Sequence, residues 1–196
     1  MTVFVLWENH ATGSVDRFGP HAFLLACVAD RLRIDRFELH ARRIISGRSC
    51  SGNGNVLREL GPNPRGGRRP LWDAAQHLIA VLDSDKLHDL LGGEARKLVP
   101  DPDYSTWSAQ MEAKCRERLG PHDAARLTIC FIDRNLETLL NILGDTSVEK
   151  DVVQRDKVLQ RASADPVLIR RGLEEMPSWT NLVDTVAAVA RQLIDR

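Results

Sequence analysis

Three features that often reveal a function are missing from this sequence. Lys plus Arg and Asp plus Glu are balanced at 27 each, so no overall charge draws the chain to nucleic acid or to a membrane surface. No apolar run approaches the ~20 residues that a membrane-spanning helix needs. The N-terminal segment lacks the charged start and apolar core of a signal peptide. We therefore expect a cytoplasmic protein without membrane association, whose electrostatic partners are recognised by a local patch.

Cysteine patterns typical of zinc sites are absent as well. The four cysteines form no C-x-x-C pair, and no histidines lie near them at zinc-ligand spacing. Cys27 and Cys130 lie within apolar runs, where a free thiol behaves as a small hydrophobic group. The hydrophobic and charged fractions, 43% and 28%, are ordinary for a globular domain. A chain of 196 residues builds a sizeable core without disulfides.

Short apolar runs predict buried strands. Each run is continuous rather than alternating, which is typical of strands covered on both faces in a parallel sheet. A weaker edge strand is predicted for Arg36–Ile45, where Phe37, Leu39 and Ala41 alternate with polar residues. The three continuous runs are Val3–Trp7, Leu78–Leu82 and Leu127–Ile132.

Helical patterns separate and follow these runs, which predicts an α/β fold with a mostly parallel central sheet flanked by helices. We expect residues 1–144 to form the α/β domain and residues 145–196 a helical C-terminal extension packed on the same domain. The apolar stripe of the last helix fits a helix that caps the core or one that binds a partner. The predicted helices are His21–Leu32, Ser105–Leu119, Leu136–Leu143, Val152–Ala162, Val167–Glu175 and Trp179–Ile194.

The longest stretch without a periodic pattern is Ser46–Pro70, which is rich in Gly and Pro. A loop this long within a compact domain is usually functional. Arginines in and just before it make the segment cationic, and the planar guanidinium fork suits phosphate oxygens. The segment predicts either a nucleic-acid-binding loop or a solvated loop whose arginines repel one another. These arginines are Arg42, Arg43, Arg48, Arg58, Arg65, Arg68 and Arg69.

A carboxylate ends each apolar run. Glu8 follows the first run, Asp83 the second and Asp133 the third. Because ligands in open α/β sheets bind beyond the carboxyl ends of the strands, we expect these side chains to converge. Asp85 points to the same side as Asp83 if the chain stays extended between them. Acids after strands also serve as helix N-caps, an alternative that fits Asp133 best because a helix is predicted to begin near Leu136.

Convergent carboxylates require a neutralising cation or raised pKa values. Two carboxylates ~4 Å apart repel by several kcal/mol at an effective dielectric of roughly 20, so three or four stay ionised together only beside a cation. Oxygen ligands at a site open to water suit Mg²⁺ or Mn²⁺. Metal ions held in this way activate water and stabilise the leaving oxygen of a phosphodiester. Glu8, Asp83 and Asp85 are therefore candidate metal ligands.

The order of these acids resembles that of the Toprim domain, whose pattern is a Glu at the end of the first strand and an Asp-x-Asp at the end of a later strand. Glu8 matches the first element, and Asp83-Ser84-Asp85 matches the second. A more specific likeness is to small bacterial Toprim-like proteins, often encoded beside an ATPase, which carry an Arg-x-Leu-Glu segment. Here that segment is Arg134-Asn135-Leu136-Glu137. The resemblance covers about residues 3–143.

The resemblance implies a Mg²⁺-dependent nuclease. The three acids of the Toprim pattern would hold Mg²⁺ or Mn²⁺, and Glu137 would be a further ligand or the base that activates water. Asp133 is a weaker candidate, and Arg134 would contact a phosphate or pair with one of the acids. The family also implies an ATPase partner, a nucleic-acid substrate and a role in bacterial defence against phage. Whether the protein forms a homo-oligomer stays open.

Two other functions also fit parts of the pattern. The Asp-x-Asp core occurs in haloacid-dehalogenase-like phosphatases, although those enzymes have a nucleophilic Asp on the opening strand, where this chain has Glu8.

Toprim domains usually have Gly after the first Glu, whereas Asn9 follows here. That departure fits a partner or sensor module that keeps the fold without binding metal. Tyr104, the only tyrosine, lies in a loop-like segment, which argues against the tyrosine chemistry of topoisomerases.

Overall fold

A parallel sheet forms the centre of the molecule. In the part of the chain that this computed structural model describes, four strands lie in the order β2-β1-β3-β4, and each neighbouring pair is parallel. The strands are β1 (Val3–Trp7), β2 (Ile45–Ser49), β3 (His77–Asp83) and β4 (Leu127–Ile132). The described residues are 2–9, 18–61, 71–92, 104–119, 124–133, 136–144 and 151–195.

The three continuous apolar runs correspond to β1, β3 and β4, which confirms the predicted α/β class with a parallel sheet. Successive side chains point to opposite faces of a strand. In β1, Val3, Val5 and Trp7 enter one hydrophobic cluster, whereas Leu6 enters a second cluster. Both faces of the sheet are therefore buried, and this explains why the runs are continuous rather than alternating.

Helices cover both faces of the sheet. They are α1 (Gly19–Leu32), α2 (Arg36–Ala41), α3 (Asn53–Leu60), α4 (Leu87–Leu91), α5 (Tyr104–Leu119), α6 (Leu136–Ile142), α7 (Val152–Ala162), α8 (Pro166–Glu175) and α9 (Pro177–Ile194). The first cluster lies between the sheet and α1, α6, α7, α8 and α9. The second lies between the sheet and α3, α4 and α5. Among the described helices, none has both the length and the apolar character needed to cross a bilayer.

Capping residues and prolines explain where the C-terminal helices begin. Asp151 and Asp165 precede α7 and α8, and each carboxylate accepts hydrogen bonds from two backbone amides of the first helical turn. Pro166 and Pro177 are the first residues of α8 and α9, where the missing amide hydrogen would have no helical acceptor. All six helices predicted from the apolar patterns are present, with ends shifted by no more than two residues.

The last helix packs on the sheet. Trp179 of α9 stacks against Phe23 of α1 and Trp7 of β1, with 5.5 and 6.3 Å between the ring centroids. The apolar stripe of α9 is buried in the first cluster, which supports its interpretation as a helix that caps the core. The expected domain boundary after residue 144 adjoins residues 145–150, which lie outside the described part of the chain.

One predicted strand is wrong. Arg36–Ile45 does not form an edge strand, because its first residues form α2 and the edge strand β2 begins only at Ile45. Phe37 is 69% exposed and Leu39 is buried, a contrast that one helical turn produces as readily as a strand does. The Asp35 carboxylate accepts a hydrogen bond from the Phe37 amide at 2.7 Å, and this local bond favours the start of a helix.

The stretch predicted to be irregular, Ser46–Pro70, contains β2 and α3 in its first part. β2 is polar because it lies at the edge of the sheet. Its glycine, Gly47, is required by packing, since a Cβ atom there would come within 2.7 Å of the His21 ring. α3 buries Leu57 and its apolar neighbours in the second cluster. Residues 62–70 lie outside the described part of the chain.

Candidate functional site at the carboxyl ends of β1 and β3

The strand order creates a crevice between β1 and β3. From β1 the chain continues to β2 on one side, whereas β3 lies on the other side of β1 and leads to β4 beyond it. The connections that leave these two adjacent strands therefore lead to opposite sides of the sheet. Ligands of open α/β sheets bind at such switch points. Two of the candidate acids lie at this edge of the sheet.

Glu8 and Asp83 come together at the crevice. The amide of Glu8 donates to the carbonyl oxygen of Val81 at 3.2 Å, which extends the pairing of β1 with β3 one residue beyond Trp7. Asp83 is the last residue of β3. Glu8 is 5% exposed and Asp83 is 1% exposed. Both carboxyl groups are therefore removed from bulk water, where their charges would interact only weakly.

Hydrogen bonds to the turn before α3 fix the two strand ends. Asn53 accepts a hydrogen bond from the Asp83 amide at 3.2 Å and donates one to the Asp83 carbonyl at 3.1 Å. The amide of Gly52 donates to the Glu8 carbonyl at 2.6 Å. The Asn9 side-chain amide donates to Oδ2 of Asp83 at 3.3 Å. Because the backbones of both acids are tied to neighbouring residues, their carboxyl groups are held near each other.

A lysine accompanies the acid pair. The 3₁₀ turn Ser84–Lys86 directly follows β3 and returns Lys86 toward the crevice. Its Nζ lies 3.3 Å from Oε1 of Glu8 and 3.7 Å from Oδ2 of Asp83. Partial burial lowers the pKa of Lys86, but the carboxylates of Glu8 and Asp83 outweigh that effect and raise it overall. The ammonium group therefore stays charged at neutral pH.

One ammonium group does not balance two buried acids. Burial, then the charge of Glu8 and a hydrogen bond with its carboxyl group, raise the pKa of Asp83 to about 9, although Lys86 lowers it. A hydrogen bond between two carboxyl groups requires a proton on one of them, and the raised pKa assigns that proton to Asp83. Oε2 of Glu8 and Oδ1 of Asp83 are buried and accept no hydrogen bond from any other described residue. The pair is short of positive charge.

The other predicted acids do not join this pair. Asp85 is exposed on the turn after β3, near enough for its charge to contribute to the raised pKa of Asp83. Glu137 is partly buried in the first turn of α6. Asp133 is exposed, and its amide donates to the hydroxyl of Ser178 at 3.0 Å. Among the described residues, no three His, Cys, Asp or Glu side chains form a group that could hold a metal ion.

The predicted arginines differ in their surroundings. Arg48 forms an ion pair with Glu59 at 2.7 Å, and its guanidinium group lies 5.5 Å from the centre of the Phe4 ring, so Arg48 links β2 to α3 and β1. Arg42 pairs with Glu38 at 3.2 Å on the surface. Exposed residues of the set also include Arg43 and Arg58. Arg65, Arg68, Arg69 and Arg134 lie outside the described residues.

Sequence reasoning missed two residues of the site. Lys86 follows Asp83 by three residues, and that spacing was a usable signal, because one turn such as the observed 3₁₀ turn brings the side chain back beside the acid. Asn53 gave no comparable signal. It lies in a Gly-rich stretch and reaches Asp83 only because α3 begins against the end of β3.

The donor set at the crevice suits a hard divalent cation. It contains one buried oxygen each of Glu8 and Asp83 without a donor from other described residues, and the Asp85 carboxylate lies on the adjacent turn. Mg²⁺ and Mn²⁺ prefer such oxygen ligands, and Mg²⁺ commonly binds through one or two carboxylates while keeping several waters. The residues present therefore fit a divalent ion.

Together, the fold and the site define a class: an α/β domain with a buried acid pair at the switch point of a parallel sheet. Comparisons of the chain with protein-family models, curated proteins and solved structures found no match. A functional interpretation therefore depends on the geometry of the site and on the pattern of acids in the sequence.

Proposed function

We propose that this protein is a nuclease that depends on Mg²⁺ or Mn²⁺ and hydrolyses phosphodiester bonds in DNA or RNA. The observation that carries the proposal is the buried pair of Glu8 and Asp83, in which one oxygen of each carboxyl group lacks a donor from other described residues. The resemblance of the acid pattern to Toprim-like nucleases points to the same chemistry. When bound, the metal would supply the positive charge that stabilises charge developing on the phosphodiester.

Each residue of the site has a proposed role. Glu8 and Asp83 would hold the metal, with Asp85 as a further ligand from the exposed turn. Asn53 would keep the end of β3 fixed through its two hydrogen bonds to the Asp83 backbone. By resemblance, Glu137 would be an additional ligand or the base that takes a proton from the attacking water.

The proposed substrate is a nucleic acid whose backbone is positioned by arginines. Arg43 and Arg58 are exposed, and the arginines outside the described residues are assigned the same role from the sequence alone. Contacts of this kind make affinity fall steeply with salt concentration, because each one releases counterions from the nucleic acid. We further propose that the protein acts in the cytoplasm beside an ATPase partner, in bacterial defence against phage.

A nuclease assay with Glu8→Gln tests the proposal. The substitution preserves the size of the side chain and removes its charge, so we expect cleavage of DNA or RNA in Mg²⁺ or Mn²⁺ to fall by at least about a hundredfold. Glu174→Gln, on the exposed side of α8, is the matched control and should cleave as the natural chain does. Undiminished cleavage by Glu8→Gln would rule out the assigned site.

A non-catalytic partner or sensor module is the second candidate. It is favoured by Lys86, which already supplies one positive charge to the acid pair at 3.3 and 3.7 Å. Calorimetric titration with Mn²⁺ separates the two candidates. Heat of binding that disappears in Glu8→Gln favours the nuclease, whereas the absence of heat together with the absence of cleavage favours the module.

A further inference from the structure

Lys86 occupies the place of a cation at the crevice. Its ammonium group contacts Oε1 of Glu8 and Oδ2 of Asp83, one oxygen from each acid. The other oxygen of each carboxyl group is buried without a donor from other described residues. A single point charge therefore engages one oxygen of each carboxyl group, and the other two oxygens would serve as ligands of a cation with more ligand positions once the shared proton is released.

A divalent ion and this ammonium group compete for the same carboxyl groups. If both stayed at the pair, two like charges would lie a few ångströms apart in a partly buried site, where repulsion is strong. The acids themselves are fixed by the backbone hydrogen bonds of Asp83 to Asn53 and of Glu8 to Gly52. Lys86, rather than Glu8 or Asp83, must therefore change position when the metal binds.

The exposure and the long stem of the Lys86 side chain allow its ammonium group to leave the two acids. Its side chain is half exposed, whereas the acids that it contacts are almost fully buried. Lysine carries its charge at the end of a flexible stem and needs no fixed planar geometry to pair with a carboxylate. Rotation of this stem takes the ammonium group into water without disturbing β3 or the turn that follows it.

We propose that Lys86 is a resident cation that exchanges with the divalent metal: it neutralises Glu8 and contacts Asp83 in the metal-free protein, and it leaves both when the metal binds. This inference rests on the proposed function, because it concerns the same metal site. Lys86 is here a positioning residue, which keeps the two acids together until the metal arrives and lowers the apparent affinity of the site for that metal.

Calorimetric titration of the full chain with Mn²⁺ alone tests the exchange. Lys86→Met removes the charge and keeps most of the stem, so Mn²⁺ should bind roughly two- to fivefold more tightly, the factor expected for a half-exposed charge interaction. Lys86→Arg retains the charge and should bind as the natural chain does. Lys157→Met, on the exposed side of α7, is the control for loss of a lysine and should also leave the affinity unchanged.

Thermal unfolding with and without Mn²⁺ gives a second readout. Without metal, Lys86→Met should melt at a lower temperature than the natural chain, and Mn²⁺ should raise its melting temperature by more. If Lys86→Met does not fold, Lys86→Gln serves in both measurements. Equal or weaker Mn²⁺ affinity in the neutral variants, while the natural chain binds, would overturn the exchange and leave the proposed nuclease standing.

Two further outcomes distinguish failure of the lysine exchange from failure of the proposed nuclease function. Mn²⁺ binding to none of the variants would overturn both the metal site and the exchange. Binding to Lys86→Met but not to the natural chain would support the exchange and count against metal-dependent catalysis by the natural chain.

Discussion

Among the described residues, the buried carboxyl group of Glu59 and the buried pair of Glu8 and Asp83 are neutralised in different ways. Glu59 of α3 meets the guanidinium group of Arg48 at 2.7 Å, so one buried acid has one strong donor. Glu8 and Asp83 share one half-exposed lysine, and each retains a buried oxygen without a donor from other described residues. Arg48 matches the charge of Glu59, whereas one lysine alone does not match the two carboxyl groups of Glu8 and Asp83.

The difference separates a structural ion pair from a binding site. A buried acid with a matched partner links elements of the fold, as Arg48 and Glu59 link β2 to α3. A buried acid pair short of positive charge is costly unless it holds a proton or a cation. The raised pKa of Asp83 is the sign of that shortage. Substitutions of Glu8 or Asp83 should therefore alter activity, whereas substitutions of Arg48 or Glu59 should alter stability.

The largest expected effect is on cleavage by Asp83→Asn. The amide cannot replace a charged metal ligand, so cleavage should fall by at least about a hundredfold. The folded protein should lose no stability, because the neutral amide resembles the protonated carboxyl group that Asp83 favours when no metal is bound. Nuclease assays and urea denaturation of the same preparation check both parts. If Asp83→Asn is inactive because it unfolds, the result would contradict the expectation that Asp83 affects activity and not stability.

The pH dependence of stability should follow Asp83 in the metal-free protein. Burial and Glu8 raise its pKa from 3.8 to about 9, so between these values the native state holds a proton that the unfolded chain releases. The free energy of unfolding should therefore decrease as the pH rises through this window, by at most about 1.4 kcal/mol per pH unit. Urea denaturation in the presence of a chelator measures it. Asp83→Asn should flatten the slope, and an unchanged slope would show that another group causes it.

Arg48→Met should destabilise the fold without acting on the crevice. It leaves Glu59 buried without its strongest partner, at a cost of about 2 kcal/mol, less than for a fully buried pair because Arg48 keeps some contact with water. Urea denaturation measures the loss, and Mn²⁺ affinity is the control that should not change. Combining it with Glu59→Leu should recover most of the stability, since no unpaired charge then stays buried. Failure of that recovery would mean that contacts of Arg48 with Phe4 dominate.

The smallest expected effect is that of Arg42→Gln. Arg42 and Glu38 form an ion pair one helical turn apart, and both side chains are about half exposed. Such pairs contribute roughly 0.3–0.5 kcal/mol. Thermal unfolding should therefore barely distinguish this variant from the natural chain. A loss of stability as large as that of Arg48→Met would mean that the surface ion pair and the buried ion pair contribute equally.

The sequence predicted the sheet well where its strands are buried on both faces. Val3–Trp7 and Leu127–Ile132 are nearly continuous apolar runs because all their positions are buried except Phe4 and Thr128, which are partly buried. Once such strands lie parallel, the acids that end them share one edge, which is why the approach of Glu8 to Asp83 could be anticipated. These predictions needed only periodicity and the polarity of a parallel sheet.

The parts that escaped prediction depend on contacts made by the folded chain. β2 is an edge strand whose residues Ser46, Gly47 and Arg48 carry little apolar signal. Arg48 is a candidate phosphate ligand from the sequence, which gives no sign of its ion pair with Glu59, because the two residues meet only when α3 packs beside the sheet. Asn53 likewise meets Asp83 through tertiary structure. No local pattern distinguishes an arginine that faces water from one that meets a buried acid.

The stacking of Trp7 on Trp179 has a consequence for how the protein is made. The two rings come from the first strand and from α9, and they lie in the same hydrophobic cluster. During synthesis on the ribosome, one face of the sheet therefore stays incompletely covered until α9 has emerged from the exit tunnel. A nascent chain arrested before that point would present Trp7 and its apolar neighbours to chaperones rather than to its own last helix.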